Sequence, residues 1–123
     1  MPQNRPETEK LWELMATYQP LDAEGLLRAV ADHLEFSQSK IRYTATHFDL
    51  YQSLALSIRD RLVEFWNDTQ QTYRERGAKQ VYYLSLEYLV GRSLRNNLVN
   101  LGIYEVCQDA MAQIGYDLEE LEE

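Results

Sequence analysis

Apolar residues recur along this chain at spacings of three and four over most of its length, and they abandon that rhythm once. Segment 6–18 carries Leu11, Trp12, Leu14 and Met15 on one face, with Pro6 in a first-turn position and Glu7 and Glu9 near the N-terminus, and Gln19-Pro20 closes it. Asp22 is an N-cap for a second helix over 22–36, in which Leu26, Leu27, Val30, Ala31 and Leu34 keep helical period and Gly25 is a slight weakness. The hydroxyl-rich stretch 37–46 has no period and reads as a loop. Thr46 and Asp49 then form a variant of the capping box, which predicts a long helix over 47–76 with Leu50, Leu54, Ile58, Leu62, Phe65, Thr69 and Tyr73 in line and Gly77 as its stop. At about 1.5 Å per residue this helix is longer than a small domain needs.

The break in rhythm is Val81 to Leu86, a short apolar run of β-branched and aromatic residues that predicts one buried strand. No second run of that quality is present, so the strand is an orphan. Helical period resumes with Leu94, Leu98 and Leu101 over 93–101, between Ser93 as N-cap and Gly102 as C′ residue. A further helix over 103–114 has Val106, Ala110 and Ile114 on one side, and a short one starts near Asp117 with Leu118 and Leu121 as anchors. The fold class is therefore mainly α with one orphan β-strand. Residues 1–21 form an N-terminal extension, and 22–123 form a helical body.

Charge and composition narrow the partners. The chain has 12 Lys plus Arg against 20 Asp plus Glu, a formal net charge of −8, which repels nucleic acid phosphates at long range. The acidic end, Asp117, Glu119, Glu120, Glu122 and Glu123, reads as a solvated helix start that suits the helix dipole. No run approaches the roughly 20 apolar residues of a membrane helix, and the first residues lack a signal-peptide core. The single Cys107 lies in a helical apolar pattern, as a small buried hydrophobe in a reducing cytoplasm would. His33 and His47 are surface or capping histidines, and no metal-ligand spacing is present. Nor is there a glycine-rich phosphate cradle, a nucleophile elbow or a cysteine-histidine pair. Glu87 and Arg92 bracket the turn after the strand, where open α/β sheets meet ligands, although the residues alone favour a plain structural ion pair or turn contact.

Tyr82-Tyr83-Leu84-Ser85-Leu86-Glu87-Tyr88-Leu89-Val90-Gly91-Arg92-Ser93-Leu94, followed by Asn97-Leu98-Val99-Asn100-Leu101-Gly102, resembles the N-terminal signature of the α-glucan (glycogen, starch or maltodextrin) phosphorylases. The resemblance runs from about Asp32 to Glu123 and takes in Asp32 to Phe36, Arg59 to Val63, Trp66 with Thr69 to Gln71, and Gly115 to Leu121. It implies the N-terminal part of a larger α/β two-domain fold of the GT-B glycosyltransferase type. It also implies a homodimer that contacts its partner through the loop 37–46 and the long helix. The implied reaction uses an enzyme-bound pyridoxal phosphate, with inorganic phosphate attacking the terminal α-1,4-glucosidic bond to release glucose 1-phosphate. The cofactor lysine of that family lies far downstream, as does its phosphate-binding machinery. In the family a glycine-rich loop follows the acidic Leu-Glu-Glu-Leu segment, and this chain ends at Glu123, so the expectation is an N-terminal fragment that is inactive alone.

Residue by residue, the resemblance places Glu87 and Leu89 in the lining of the active site. Trp66, Gln70 and Gln71 match positions that hold a nucleotide activator in animal phosphorylases. Arg74 replaces the expected stacking aromatic and Ile41 the expected acidic loop residue, which points to an unregulated branch, as does Leu89 where animal enzymes carry tyrosine. The competing reading is a stand-alone helical interaction or regulatory module derived from that family.

Overall fold

The computed structural model describes residues 9–15 and 18–122. Helix α1 is Glu9–Met15, and the remainder of the predicted 6–18 helix, apart from exposed Tyr18, lies outside the described residues. Helix α2 is Ala23–Asp32, capped by Asp22, whose side chain accepts from the backbone N–H of Gly25 at 2.8 Å. It does not end as a regular helix. His33–Ser37 widens into a π-helical turn, closed by the Gln38 N–H donating to the His33 carbonyl at 3.0 Å.

Helix α3, His47–Glu75, begins in the predicted capping box: Thr46 Oγ1 accepts from the Asp49 N–H at 3.2 Å, and Asp49 Oδ2 accepts from the Thr46 N–H at 2.9 Å. The Thr46 N–H and hydroxyl, both donating to Asp49 Oδ2, hold the Asp49 carboxyl below the usual carboxylate range, assisted by nearby Lys40. Helices α4 (Leu94–Asn100), α5 (Tyr104–Gln113) and α6 (Leu118–Glu122) complete the order. Gly77 and Gly102 adopt φ of +57° and +70°, the left-handed geometry that lets a helix stop in a glycine. Ser93 does not cap α4 with its side chain; its carbonyl instead accepts from the backbone N–H and the Nδ2 of Asn97.

The predicted strand at 81–86 is absent, and no strand occurs among the described residues. Val81 to Val90 is extended or irregular chain whose side chains face solvent; Leu84 is 93% exposed and Leu89 98%. A strand exists only as one side of a hydrogen-bonded ladder, and the run has no partner strand among the described residues.

Leu26 and Val30 of α2, Leu50, Leu54 and Ile58 of α3, Leu98 of α4, Ile103, Cys107, Ala110 and Met111 around α5, and Leu118 and Leu121 of α6 make one core. Each fully buried Leu or Met contributes on the order of 1.5–3 kcal/mol. The α5 face is rotated from the expected one, since Cys107 and Met111 point inward while Ile114 is 42% exposed. Packing along α3 ends with partly buried Leu62, and Phe65, Thr69 and Tyr73, expected on the same face, are exposed.

Gly25, half-buried beside this core, is glycine for a reason the helical pattern does not contain. A Cβ there would lie 2.7 Å from the Pro20 Cβ, 2.9 Å from the Pro20 carbonyl oxygen and 2.7 Å from Asp22 Oδ1. Alanine gains about 1 kcal/mol over glycine in a helix interior, but two of these contacts are with chain that cannot swing aside. Gly25→Ala is therefore expected to destabilise, and a lowered urea midpoint at unchanged m-value is the measurement that checks it.

Candidate functional site

The residues singled out from the sequence fall into two unconnected places. Glu87 and Leu89 lie on the exposed 81–90 segment, where the contacts of Glu87 are local: its N–H donates to Ser85 Oγ at 3.3 Å, and Ser85 Oγ donates to the Glu87 carbonyl at 3.0 Å. Neither residue lines a cavity with a titratable partner among the described residues. Arg92 does, in a hollow with Tyr51, Leu94, Arg95, Glu119 and Glu122.

Trp66 and Gln70 are brought together. One turn apart on α3, they line a groove of about 550 Å³ with Thr69, Tyr73 and the chain from Lys79 to Tyr82, which folds back after Gly77. Three aromatic side chains, two amides and an ammonium group there could receive a planar, hydrogen-bonding, anionic molecule. Gln71 is outside the groove, because the next residue on a helix turns about 100° away, and its Nε2 donates to Glu75 Oε1 at 2.8 Å. Arg74 is exposed, and Ile41 stands in the loop at 61% exposure beside Arg42 and Tyr43, whose guanidinium and ring are 5.8 Å apart. Among the described residues no group of three or more metal-ligating side chains gathers.

Three polar arrangements escaped the sequence reading. His33 bridges the π turn to α3, with Nε2 2.7 Å from Asp60 Oδ2 and Nδ1 2.8 Å from Ser37 Oγ. Arg61 is 1% exposed and lies three residues after Ile58 and seven after Leu54, so its place on the core face was legible from spacing, though its partners were not. The third lies between α4, α5 and α6. Arg95 rests over the Tyr104 ring at 5.1 Å and is 3.9 Å from carboxylate oxygens of both Glu119 and Glu122. The Tyr104 hydroxyl and Glu122 Oε1 are buried without hydrogen-bond partners among the described residues.

Burial pushes the Glu122 carboxyl up, against the pull of Arg95, and burial together with the Glu122 charge pushes the Cys107 thiol up to about 12, which leaves it an inert core group at neutral pH. A carboxyl raised by folding binds its proton more tightly in the folded chain. Its contribution to stability is full below the ordinary carboxylate range and is lost as pH rises through the raised value. The amides of α6 are thus expected to exchange more slowly at about pH 5 than at about pH 7.5 once intrinsic rates are divided out, and Glu122→Gln should remove the difference. Equal protection in the parent chain at both pH values would place the Glu122 charge in water.

No protein-family model matches the chain. Curated relatives do. The chain is 53% identical over 102 residues to the brain form of glycogen phosphorylase from Bos taurus, an alignment that takes in 83% of this chain and 12% of the relative. It is 38% identical over 115 residues to glycogen phosphorylase 2 of Dictyostelium discoideum, with 94% and 12% covered, and 50% identical over 91 residues to the muscle form from Ovis aries, with 74% and 11% covered. The chain spans about an eighth of the length of these relatives. Identity at half the positions across four-fifths of the sequence has no explanation in shared composition, and the chain belongs to the glycogen phosphorylase family, matching the N-terminal segment that its signature resembles.

Proposed function

We propose that this chain works as the N-terminal segment of a pyridoxal-phosphate-dependent α-1,4-glucan phosphorylase, which takes glucan ends and inorganic phosphate to glucose 1-phosphate in the cytoplasm. The observation that carries this reading is the signature run itself. Val81 to Val90 keeps a strand-like apolar sequence yet lies bare to solvent, as a segment does when the surface it belongs against is supplied by more chain. In that setting it would enter the sheet of a GT-B type fold and carry Glu87 and Leu89 towards the site.

The chain alone does not fit the cofactor. Lys40 is engaged by Asp49 at 3.5 Å, Lys79 lies along the Trp66 groove and Lys10 is on α1, and none stands in an enclosed cavity with donors for a phosphate. No catalytic step is therefore assigned to these residues. Their part is to build and position. A glycogen phosphorylase lacking its corresponding segment should regain phosphorolysis when mixed with this chain, and Leu84→Asp with Leu86→Asp should abolish the rescue. No rescue, or rescue indifferent to those substitutions, would sink the reading.

The same reading makes the protein a homodimer through the loop 37–46 and the outer half of α3. Tyr43 is 84% exposed, and Phe65, Trp66 and Tyr73 stand out from the helix beyond the core, aromatic residues of the kind enriched at interface centres. In the complete enzyme, Arg42→Ala with Tyr43→Ala is expected to weaken the dimer about tenfold or more on dilution, while the monomer fold stays intact. Analytical ultracentrifugation across a dilution series measures this, and an unchanged dissociation constant would put the interface elsewhere.

A further inference from the structure

The centre of α3 carries a buried cation whose partners come from outside the helical body. Arg61 Nη1 donates to Gln19 Oε1 at 2.9 Å and to the Ser57 carbonyl at 3.0 Å, and Nη2 donates to the Pro20 carbonyl at 2.9 Å, with the Gly25 carbonyl further off at 3.5 Å. All these acceptors are neutral, and among the described residues Arg61 makes no ion pair. The segment that supplies two of them is fastened again one and two turns further along α3. The Gln19 N–H donates to Glu64 Oε1 at 2.9 Å, and the Tyr18 hydroxyl reaches both carboxylate oxygens of Asp68 at 3.1 Å. Residues 61, 64 and 68 share one helix face, on the side opposite Trp66 and Gln70. Helix α1, which precedes this segment, buries no residue of its own.

We propose that Tyr18-Gln19-Pro20 is a releasable strap across α2 and α3, locked by Arg61, so that residues 18–20 are a built part of the helical body. Fastened, its two oxygens supply acceptors to both terminal nitrogens of a guanidinium that is 1% exposed and whose Nε has no partner among the described residues. Released, that charge must regain water at the α2–α3 seam, where the Pro20 and Gly25 carbonyls both face Nη2. Burial already lowers the proton affinity of Arg61, in keeping with a charge held in poorly solvated surroundings. The dependence runs one way. The strap needs Arg61 to stay down, while the seam needs the strap only because Arg61 is charged.

That asymmetry gives the test, made by amide exchange on the 123-residue chain. Arg61→Met in the full chain should free the strap, speeding exchange at Gln19, while amides around Leu26 to Val30 and Ser57 to Leu62 keep their protection. Removal of residues 1–20 with Arg61 intact should speed exchange at those seam amides about tenfold or more. Combining the truncation with Arg61→Met should restore slow exchange. If the truncated chain fails to fold, recovery of the fold in the combined variant is the supporting result. Unchanged seam exchange on truncation overturns the proposal, and so does a combined variant as fast, or as unfolded, as the truncation alone.

Discussion

The inner face of α3 is the constraint on which the other elements depend. Leu50, Ser53, Leu54, Ser57, Ile58 and Arg61 run along it at spacings of three and four, all buried, and α2, the π turn, α4 and α6 rest on the same helix. Ser53 and Ser57 are small enough to let neighbours come close, and both hydroxyls are partnered: Ser57 Oγ donates to the Ser53 carbonyl at 2.8 Å, and Gln38 Nε2 donates to Ser53 Oγ at 2.6 Å. Gln38 also donates to the Asp49 carbonyl, so one amide side chain ties the exit of the π turn to the first turns of α3. Apolar burial supplies the drive along this face. The polar residues on it fix which surfaces meet, because each would be costly to leave unpaired.

Helical rhythm made most of this legible beforehand. The period of Leu50, Leu54 and Ile58, the Thr46 and Asp49 cap and the stops at Gly77 and Gly102 are local properties, decided within a turn or two of chain. What escaped was everything that depends on a distant partner. The 81–86 run has the composition of a strand, but composition cannot provide the neighbour that makes one. Arg61 with Gln19, and His33 with Asp60, join residues 42 and 27 positions apart, and no pattern in the sequence pairs them. The π turn at His33–Ser37 likewise continued a helical rhythm without announcing its change of pitch.

The candidate site shows the same division between local and distant. Trp66 and Gln70 share a groove because four residues make roughly one turn, whereas Gln71, adjacent in sequence, is carried round the helix to Glu75. A motif written as consecutive letters thus becomes two faces once folded. Glu87 and Leu89 stand apart from both, on chain that reaches no fixed surface among the described residues. Family membership therefore rests on the sequence identities, and the helical body by itself explains scaffold and register without explaining chemistry.

The helix α3 outruns the core built on it. From Leu62 to Glu75 it extends about 20 Å with no buried residue beyond Leu62 and its immediate neighbours, tied to residues 18 and 19 through Asp68 and Glu64 and otherwise supported by its own ladder. A rod clamped at one end amplifies angles. A tilt of about 5° at Ile58 to Leu62, smaller than many packing adjustments, would carry the Tyr73 ring nearly 2 Å sideways over that length. Whatever the far end of this helix touches is thereby geared to the seam at its root, and a substitution confined to the core can be read out at a surface it never contacts.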